Sequence, residues 1–380
     1  MNKSLHLFLA VMAVLVLVIS ACAPATPAPT QPPATQAPTE VLPTEAPATE
    51  APTEAPATEA PTAVPPTATP APPPVCDKLP DAPAAPAAGE LGSADNPIVI
   101  TFVPSGDTGK ITTAGTAIAD CLSQMTGLSF KMEVGTTFAA SIEAMGAEKA
   151  QVGFLNTFSA LLAGAKYGVT PALVAVRKYA TNDLDPDKNL AGQPEPFYKG
   201  QFIANVDSGI KSFADLKGKT FCFVDPNSTS GYIVPRIILA ANGINPDTDF
   251  AATQNAGSHN NVAIAVYKGD CDAGVTYINV LTDTSANLAA QYPDIAEKVK
   301  VFAVTPPIPN DGMQFIKSLD PNLRKVIVEG MIAMTNDPGG KAVLKSLYNY
   351  DSFQQVDATF YNDFLAVLKK AGVDPSTLVK

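Results

Sequence analysis

The chain has 380 residues, 46% of them hydrophobic, and a formal net charge of −11. That is enough chain and enough apolar content for a buried core of two ordinary domains. An acidic balance with no arginine-rich run or basic patch argues against nucleic acid as a partner. Any anionic ligand has to be held by local dipoles against the overall field.

Residues 1–21 combine one lysine, Lys3, with a run of Leu, Val, Ala, Phe and Met that is too short for a membrane span and reads as a secretory signal. Residues 22–75 hold Cys22 and then almost only Pro, Ala, Thr and Glu, with near repeats such as Thr44-Glu45-Ala46-Pro47. Such a segment has nothing to bury, so it is expected to be a disordered stalk reaching on the order of 150 Å when extended.

The folded part begins with a strand over 97–103, a turn at Ser105-Gly106-Asp107 and a helix through Ile118 and Leu122. Strand 130–134, helix 138–145, short strand 152–155, a helix opened by Asn156-Thr157 and strand 172–176 follow. This alternation is the signature of an α/β sheet, whose ligands bind beyond the carboxyl ends of the strands. Ser105, Thr136, Asn156 and Thr157 fall there. Residues 181–196 are polar and rich in Asp and Pro, which predicts a surface excursion. Residues 197–206 read as one strand and 213–216 as a short helix.

Strand 220–224 then delivers the chain to Asp225-Pro226-Asn227-Ser228-Thr229-Ser230-Gly231, followed by a helix marked by Ile233, Val234, Ile237, Ile238 and Ala241. Ser228, Thr229 and Ser230 set hydroxyls beside helix N–H groups that have no partner within the helix, and the dipole adds partial positive charge. That arrangement can hold a small oxyanion without a lysine or arginine. Ordinary N-capping is the commoner role of a Ser/Thr cluster before a helix and accounts for the same residues when they are taken alone. A second α/β unit continues through the turn Gly257-Ser258-His259, helix 262–267 and strands 273–277 and 299–304, and helices close the chain near 323–334, 342–347 and 360–368.

Besides Cys22 the chain has Cys76, Cys121, Cys222 and Cys271, an even set compatible with two disulfides or with four buried thiols. The spacing lacks a paired zinc pattern, and His259 is the only histidine outside residues 1–21, so no metal or other cofactor is expected.

Two resemblances sharpen this reading. Ile19-Ser20-Ala21-Cys22 resembles the lipobox of bacterial lipoproteins, which implies that Cys22 is lipidated and anchors the protein to the outer face of the cell membrane. Asp225 to Tyr232, Gly257-Ser258-His259 and Pro307-Ile308-Pro309-Asn310-Asp311, in that order, resemble the periplasmic phosphonate-, phosphate- and phosphite-binding proteins of ABC transporters. Ser208-Gly209-Ile210-Lys211-Ser212 and Asp215-Leu216-Lys217-Gly218-Lys219 look like the same family. The resemblance implies a type II periplasmic-binding-protein fold: two α/β lobes, 97–203 with 309–380 and 204–308, joined by two crossover strands around a ligand cleft. It implies a monomer that delivers a phosphorus oxyanion to an ABC permease.

On that resemblance Ser228, Thr229 and Ser230 cradle the oxyanion, His259 donates to it, and Asp311 accepts a hydrogen bond from it. An ionised carboxylate only accepts, so Asp311 is expected to favour a ligand that keeps a P–OH and to reject sulfate. Relatives that bind aminoethylphosphonate carry tyrosines where this chain has Phe138 and Leu155 and an acid near Asn279, which leaves the substituent on phosphorus open. Thr136, Thr137, Asn156 and Thr157 could replace the missing hydroxyls or simply cap their own helices. The lobe assignment pairs Cys222 with Cys271 and Cys76 with Cys121. An exported ligand sensor on the same fold is one alternative. A serine hydrolase using Ser228, His259 and Asp311 is another, although Asn227-Ser228-Thr229-Ser230-Gly231 lacks the Gly-x-Ser-x-Gly elbow.

Overall fold

The computed structural model describes residues 75–378, which belong to one compact unit. The signal, Cys22 and the stalk up to residue 74 lie outside the described residues. Strand β1 (Ile98–Phe102), helix α1 (Thr108–Thr126), β2 (Phe130–Val134), α2 (Phe138–Gly146), β3 (Val152–Leu155), α3 (Thr157–Tyr167) and β4 (Thr170–Lys178) follow in turn. Ile111, Ala114, Ile118 and Leu122 recur at helical spacing along α1 and are all buried, as an amphipathic helix on a sheet requires. Asp107 caps α1 by accepting from the Lys110 N–H, and Gly127 ends it at φ 75°.

Strand β5 (Pro194–Glu195) pairs with β4, β6 (Phe197–Tyr198) leaves the first sheet, and β7 (Gly200–Asn205) opens the second. Next come β8 (Thr220–Phe223), a π-helical turn (Thr229–Ile233) running into α4 (Val234–Ala241), β9 (Ala252–Asn255), α5 (His259–Lys268) and β10 (Ala273–Tyr277). Short helices α6 (Leu288–Gln291) and α7 (Ile295–Lys298) precede β11 (Val299–Val304). The chain returns through β12 (Ile308–Pro309) to β13 (Gly312–Phe315), α8 (Pro321–Met334), α9 (Pro338–Tyr348), β14 (Ser352–Gln355) and α10 (Asn362–Lys370).

The first sheet runs β14-β4-β13-β3-β1-β2, with β5 beside β4, and the second runs β11-β7-β10-β8-β9. The antiparallel ribbon of β6 and β12, with Tyr198 opposite Ile308, carries the two crossings between these lobes. Because β1, β2 and β3 are parallel and β13 lies antiparallel between β3 and β4, the carboxyl ends of β1 to β4 share one edge. The carboxyl ends of β8, β9 and β10 share an edge of the second sheet. Cys76 is bonded to Cys121 on α1, and Cys222 on β8 to Cys271 just before β10. Among the described residues no helix is long and apolar enough to cross a membrane.

Two sequence expectations change. The strand predicted over 197–206 breaks at Lys199, which separates the crossover β6 from β7. Residues 181–196 are not all at the surface either. Lys199 and Asp185 are each only 1% exposed, with Lys199 Nζ 2.7 Å from Asp185 Oδ1 and 2.6 Å from Asp187 Oδ2. A buried ammonium is tolerated only beside carboxylates, so the acidic excursion folds back onto the crossing.

Candidate functional site

The carboxyl edges of both sheets border a cavity of about 450 Å³, within the ~300–1,000 Å³ range of small-molecule sites. Hydrogen bonds tie its two walls together. Asn156 Nδ2 donates to the Asn227 carbonyl at 2.9 Å, the Phe158 N–H to Thr229 Oγ1 at 2.9 Å, and the His259 N–H to the Ser105 carbonyl at 3.0 Å. Lys110 Nζ donates to the Ser285 carbonyl at 3.2 Å. The lobes are therefore held together across the cleft.

On the second lobe, Ser228 is the cap of the π-helical turn, its Oγ accepting from the Gly231 N–H at 3.1 Å. Position 231 needs glycine: a Cβ there would lie 2.3 Å from Val224 Cγ2 and 2.7 Å from Ser228 Oγ. Ser230 Oγ accepts from the Tyr198 hydroxyl at 3.2 Å. Both serines line the cavity and are 1% exposed, and each hydroxyl proton remains available to a ligand.

His259 lines the same wall. Its Nδ1 accepts from the Tyr277 N–H at 3.1 Å, which puts the proton of the neutral ring on Nε2. Burial pushes its pKa down to about 3, so the ring is a neutral donor at physiological pH. Among the described residues Nε2 has no partner.

The first-lobe wall departs from expectation. Asp311 lines the cavity, but its Oδ1 is 2.6 Å from Arg177 Nη2, and its Oδ2 accepts from the Tyr350 hydroxyl. Arg177 also donates from Nε to the Tyr348 carbonyl at 2.8 Å and lies over the Tyr350 ring, 4.7 Å from its centroid. Burial works against the guanidinium charge, yet the facing Asp311 carboxylate outweighs it and the pKa rises above its ordinary value. A cavity expected to work without arginine thus contains one.

Of the predicted site residues, Ser105, Asn156, Ser228, Ser230, His259 and Asp311 border the cavity. Four do not. Thr229 is fully buried and turns away to accept the Phe158 N–H, which the end of α3 would otherwise leave unpaired. Thr157 Oγ1 donates to the Pro309 carbonyl at 2.6 Å. Thr137 caps α2 through the Ala140 N–H, and Thr136 is exposed. Asn156 both caps α3 and faces the cleft.

Sequence reasoning missed Arg177, Tyr198, Tyr277, Tyr348 and Asn260, all on the cavity wall. Arg177 was recoverable, because it is a rare arginine ending an apolar strand at a carboxyl edge. Asn260 is 5% exposed and its Oδ1 has no partner among the described residues, while its Nδ2 donates to the Ala286 carbonyl. Nothing in one sequence marks it.

Residues 100–361 match the profile of the family described as ABC transporter, phosphonate, periplasmic substrate-binding protein. The phosphate-import protein PhnD of Mycolicibacterium smegmatis is 27% identical over 194 residues, 49% of this chain and 57% of that protein. The phosphonates-binding periplasmic protein of Escherichia coli is 31% identical over 185 residues, 48% of this chain and 53% of that one. The chain spans about half the length of these curated relatives. Its fold is similar to that of the binding-protein component of an ABC phosphonate transporter from Pseudomonas aeruginosa, with TM-score 0.62, 23% identity and coverage of 72% of this chain and 87% of that one. It is also similar to PhnD1 of Prochlorococcus marinus in complex with methylphosphonate, with TM-score 0.60, 17% identity and coverage of 72% and 98%. Two α/β lobes joined by two crossover strands around a cleft are the type II periplasmic-binding-protein fold that these structures share.

Proposed function

Because this chain belongs to the family of periplasmic substrate-binding proteins of phosphonate ABC transporters, we propose that its cleft captures a phosphonate, phosphate or phosphite and presents it to a membrane permease. The observation that supports this reading is the donor set of the second lobe: the Ser228 and Ser230 hydroxyls and the His259 Nε2–H, facing one cavity at a helix start. All are neutral, so they form without a charge-burial penalty, and all donate to an anion. Hydrogen bonds to a charged group contribute about 1.5–3 kcal/mol each, so a handful suffices for micromolar binding, roughly −8 kcal/mol.

The same contacts disfavour a hydrolase. His259 Nδ1 is oriented by a backbone N–H and Asp311 is held by Arg177, so no carboxylate orients the imidazole as a serine nucleophile requires. In this reading the signal directs export, Cys22 carries the lipid, and the monomeric body reaches the permease on its stalk. Calorimetry against phosphate, phosphite, methylphosphonate and aminoethylphosphonate tests the binding function. Micromolar or tighter affinity for at least one, weakened ~10–150-fold on Ser230→Ala, is expected; no binding by the wild type to any of them sinks it.

A further inference from the structure

Asp311 was expected to accept a hydrogen bond from a P–OH of the ligand, yet in the structure both of its oxygens are already engaged, by Arg177 and by Tyr350. Arg177 is the less satisfied member of the pair. Its Nε and Nη2 are committed to the Tyr348 carbonyl and Asp311, while Nη1 has no partner among the described residues, and the side chain is 21% exposed on the cavity wall. A guanidinium fixed on one edge by a carboxylate and a carbonyl offers its other edge as a preset donor fork for an oxyanion. The fork belongs to the same cluster as the serine cradle. Tyr198, which donates to Ser230 Oγ, also feels the charges of Arg177 and Asp311.

We propose that Arg177 is the charged group of this cleft that meets the ligand, that Asp311 positions it, and that the site therefore prefers the fully deprotonated oxyanion. The proposal rests on the oxyanion reading above and adds the protonation state of the ligand. A carboxylate acceptor would select the form that still carries a P–OH and exclude sulfate. A guanidinium donor reverses both preferences: it favours the dianion and admits sulfate.

The second ionisation of a phosphate ester falls at about 6, and that of an alkylphosphonate, with carbon in place of the ester oxygen, lies higher but still within the neutral range, so pH separates the two cases. The phenols of Tyr198, Tyr348 and Tyr350 facing Arg177 are all pushed up by burial, and His259 is pushed down to about 3. The carboxylates of Asp107, Asp283, Asp311 and Asp351 and the ammonium groups of Lys110, Lys178 and Lys345 complete the charged lining. Sulfate, which does not titrate near neutrality, reports whatever pH dependence these protein groups introduce. Subtracting its profile leaves that of the ligand proton.

The experiment is calorimetry of the wild type, Arg177→Gln, Arg177→Lys, Asp311→Asn and the Arg177→Gln/Asp311→Asn double variant, with methylphosphonate and sulfate, from pH 5.5 to 8.5 at fixed ionic strength. Wild-type affinity for methylphosphonate should rise with pH relative to sulfate, and sulfate should bind measurably. Arg177→Gln should weaken both ligands ~10–100-fold and flatten the pH profile. Arg177→Lys, which keeps a charge opposite Asp311, should retain the profile's direction. Asp311→Asn should weaken binding in the wild-type background and add nothing on top of Arg177→Gln. The double variant removes both charges of the pair together and so covers the case in which Arg177→Gln alone does not fold.

A methylphosphonate affinity that falls as pH rises would overturn the proposal, and would point to Asp311 or to the unpartnered Asn260 Oδ1 as the acceptor of a hydrogen bond from P–OH. So would Arg177 variants that change affinity less than twofold. If Ser230→Ala weakens binding while Arg177→Gln leaves affinity within twofold of wild type, this inference fails and the oxyanion reading stands; if the wild type binds neither ligand, nor phosphate, phosphite or aminoethylphosphonate, the oxyanion reading itself fails.

Discussion

Thr229→Val removes a hydroxyl from between the lobes without changing side-chain volume appreciably. Thr229 is fully buried, and its Oγ1 accepts the Phe158 N–H at 2.9 Å from the opposite lobe. That N–H lies in the first turn of α3, where Asn156 already serves Ser159, so nothing else can take it. A buried donor left unpaired costs about 1–3 kcal/mol. Because the bond spans the cleft it exists only when the lobes meet; in an open form both groups turn to water. The cost should therefore fall on ligand binding and not on the apo fold: a ~5–150-fold weaker Kd by calorimetry, with the urea midpoint of the ligand-free protein within experimental spread of wild type. Thr137→Ala, which removes the cap of α2 at a residue that does not itself line the cavity, should show the opposite pattern, losing about 1 kcal/mol of apo stability with affinity retained. An apo midpoint that drops for Thr229→Val while affinity stays put would refute the assignment of this bond to closure.

Three further outcomes follow from the packing. Lys199→Met leaves Asp185 buried without its ammonium and should cost about 3–5 kcal/mol in urea unfolding; a loss below about 1 kcal/mol would mean that Asp185 reaches water. The folded-state pKa of His259, about 3, lies below the ordinary 6.5, so the unfolded chain binds the extra proton. Its contribution is complete above pH 6.5 and is lost as pH falls toward 3, at up to about 1.4 kcal/mol per unit. Stability of His259→Gln should fall less steeply over that window; an unchanged acid slope would contradict a neutral buried imidazole. Reducing the Cys222–Cys271 bond should lower stability by about 2–4 kcal/mol, and finding four alkylatable thiols in exported protein would remove the basis for this expectation.

The alternation of apolar runs and helical spacing made the two α/β units legible, and the Ser228 to Ser230 cluster was visible because strand, turn and helix meet there in consecutive residues. What stayed hidden depends on contacts distant in sequence. Arg177 and Asp311 are 134 positions apart, and only the antiparallel insertion of β13 beside β4 brings them together. Thr229 and Ser230 are neighbours of similar chemistry that face opposite ways. The π-helical turn that begins with both of them has no signature in hydrophobic period. The excursion near Asp185 read as surface because its acids are polar, and only the placement of Lys199 shows why they are buried.

The central claim is that a phosphorus oxyanion sits between the lobes on Ser228, Ser230 and His259. A crystal structure of this protein grown with methylphosphonate tests it directly. The account predicts phosphonate oxygens within hydrogen-bond distance of the Ser228 and Ser230 hydroxyls and of His259 Nε2, with Thr229 still bonded to the Phe158 N–H. A methylphosphonate bound elsewhere, or held in the cleft without contact to either serine, would contradict it.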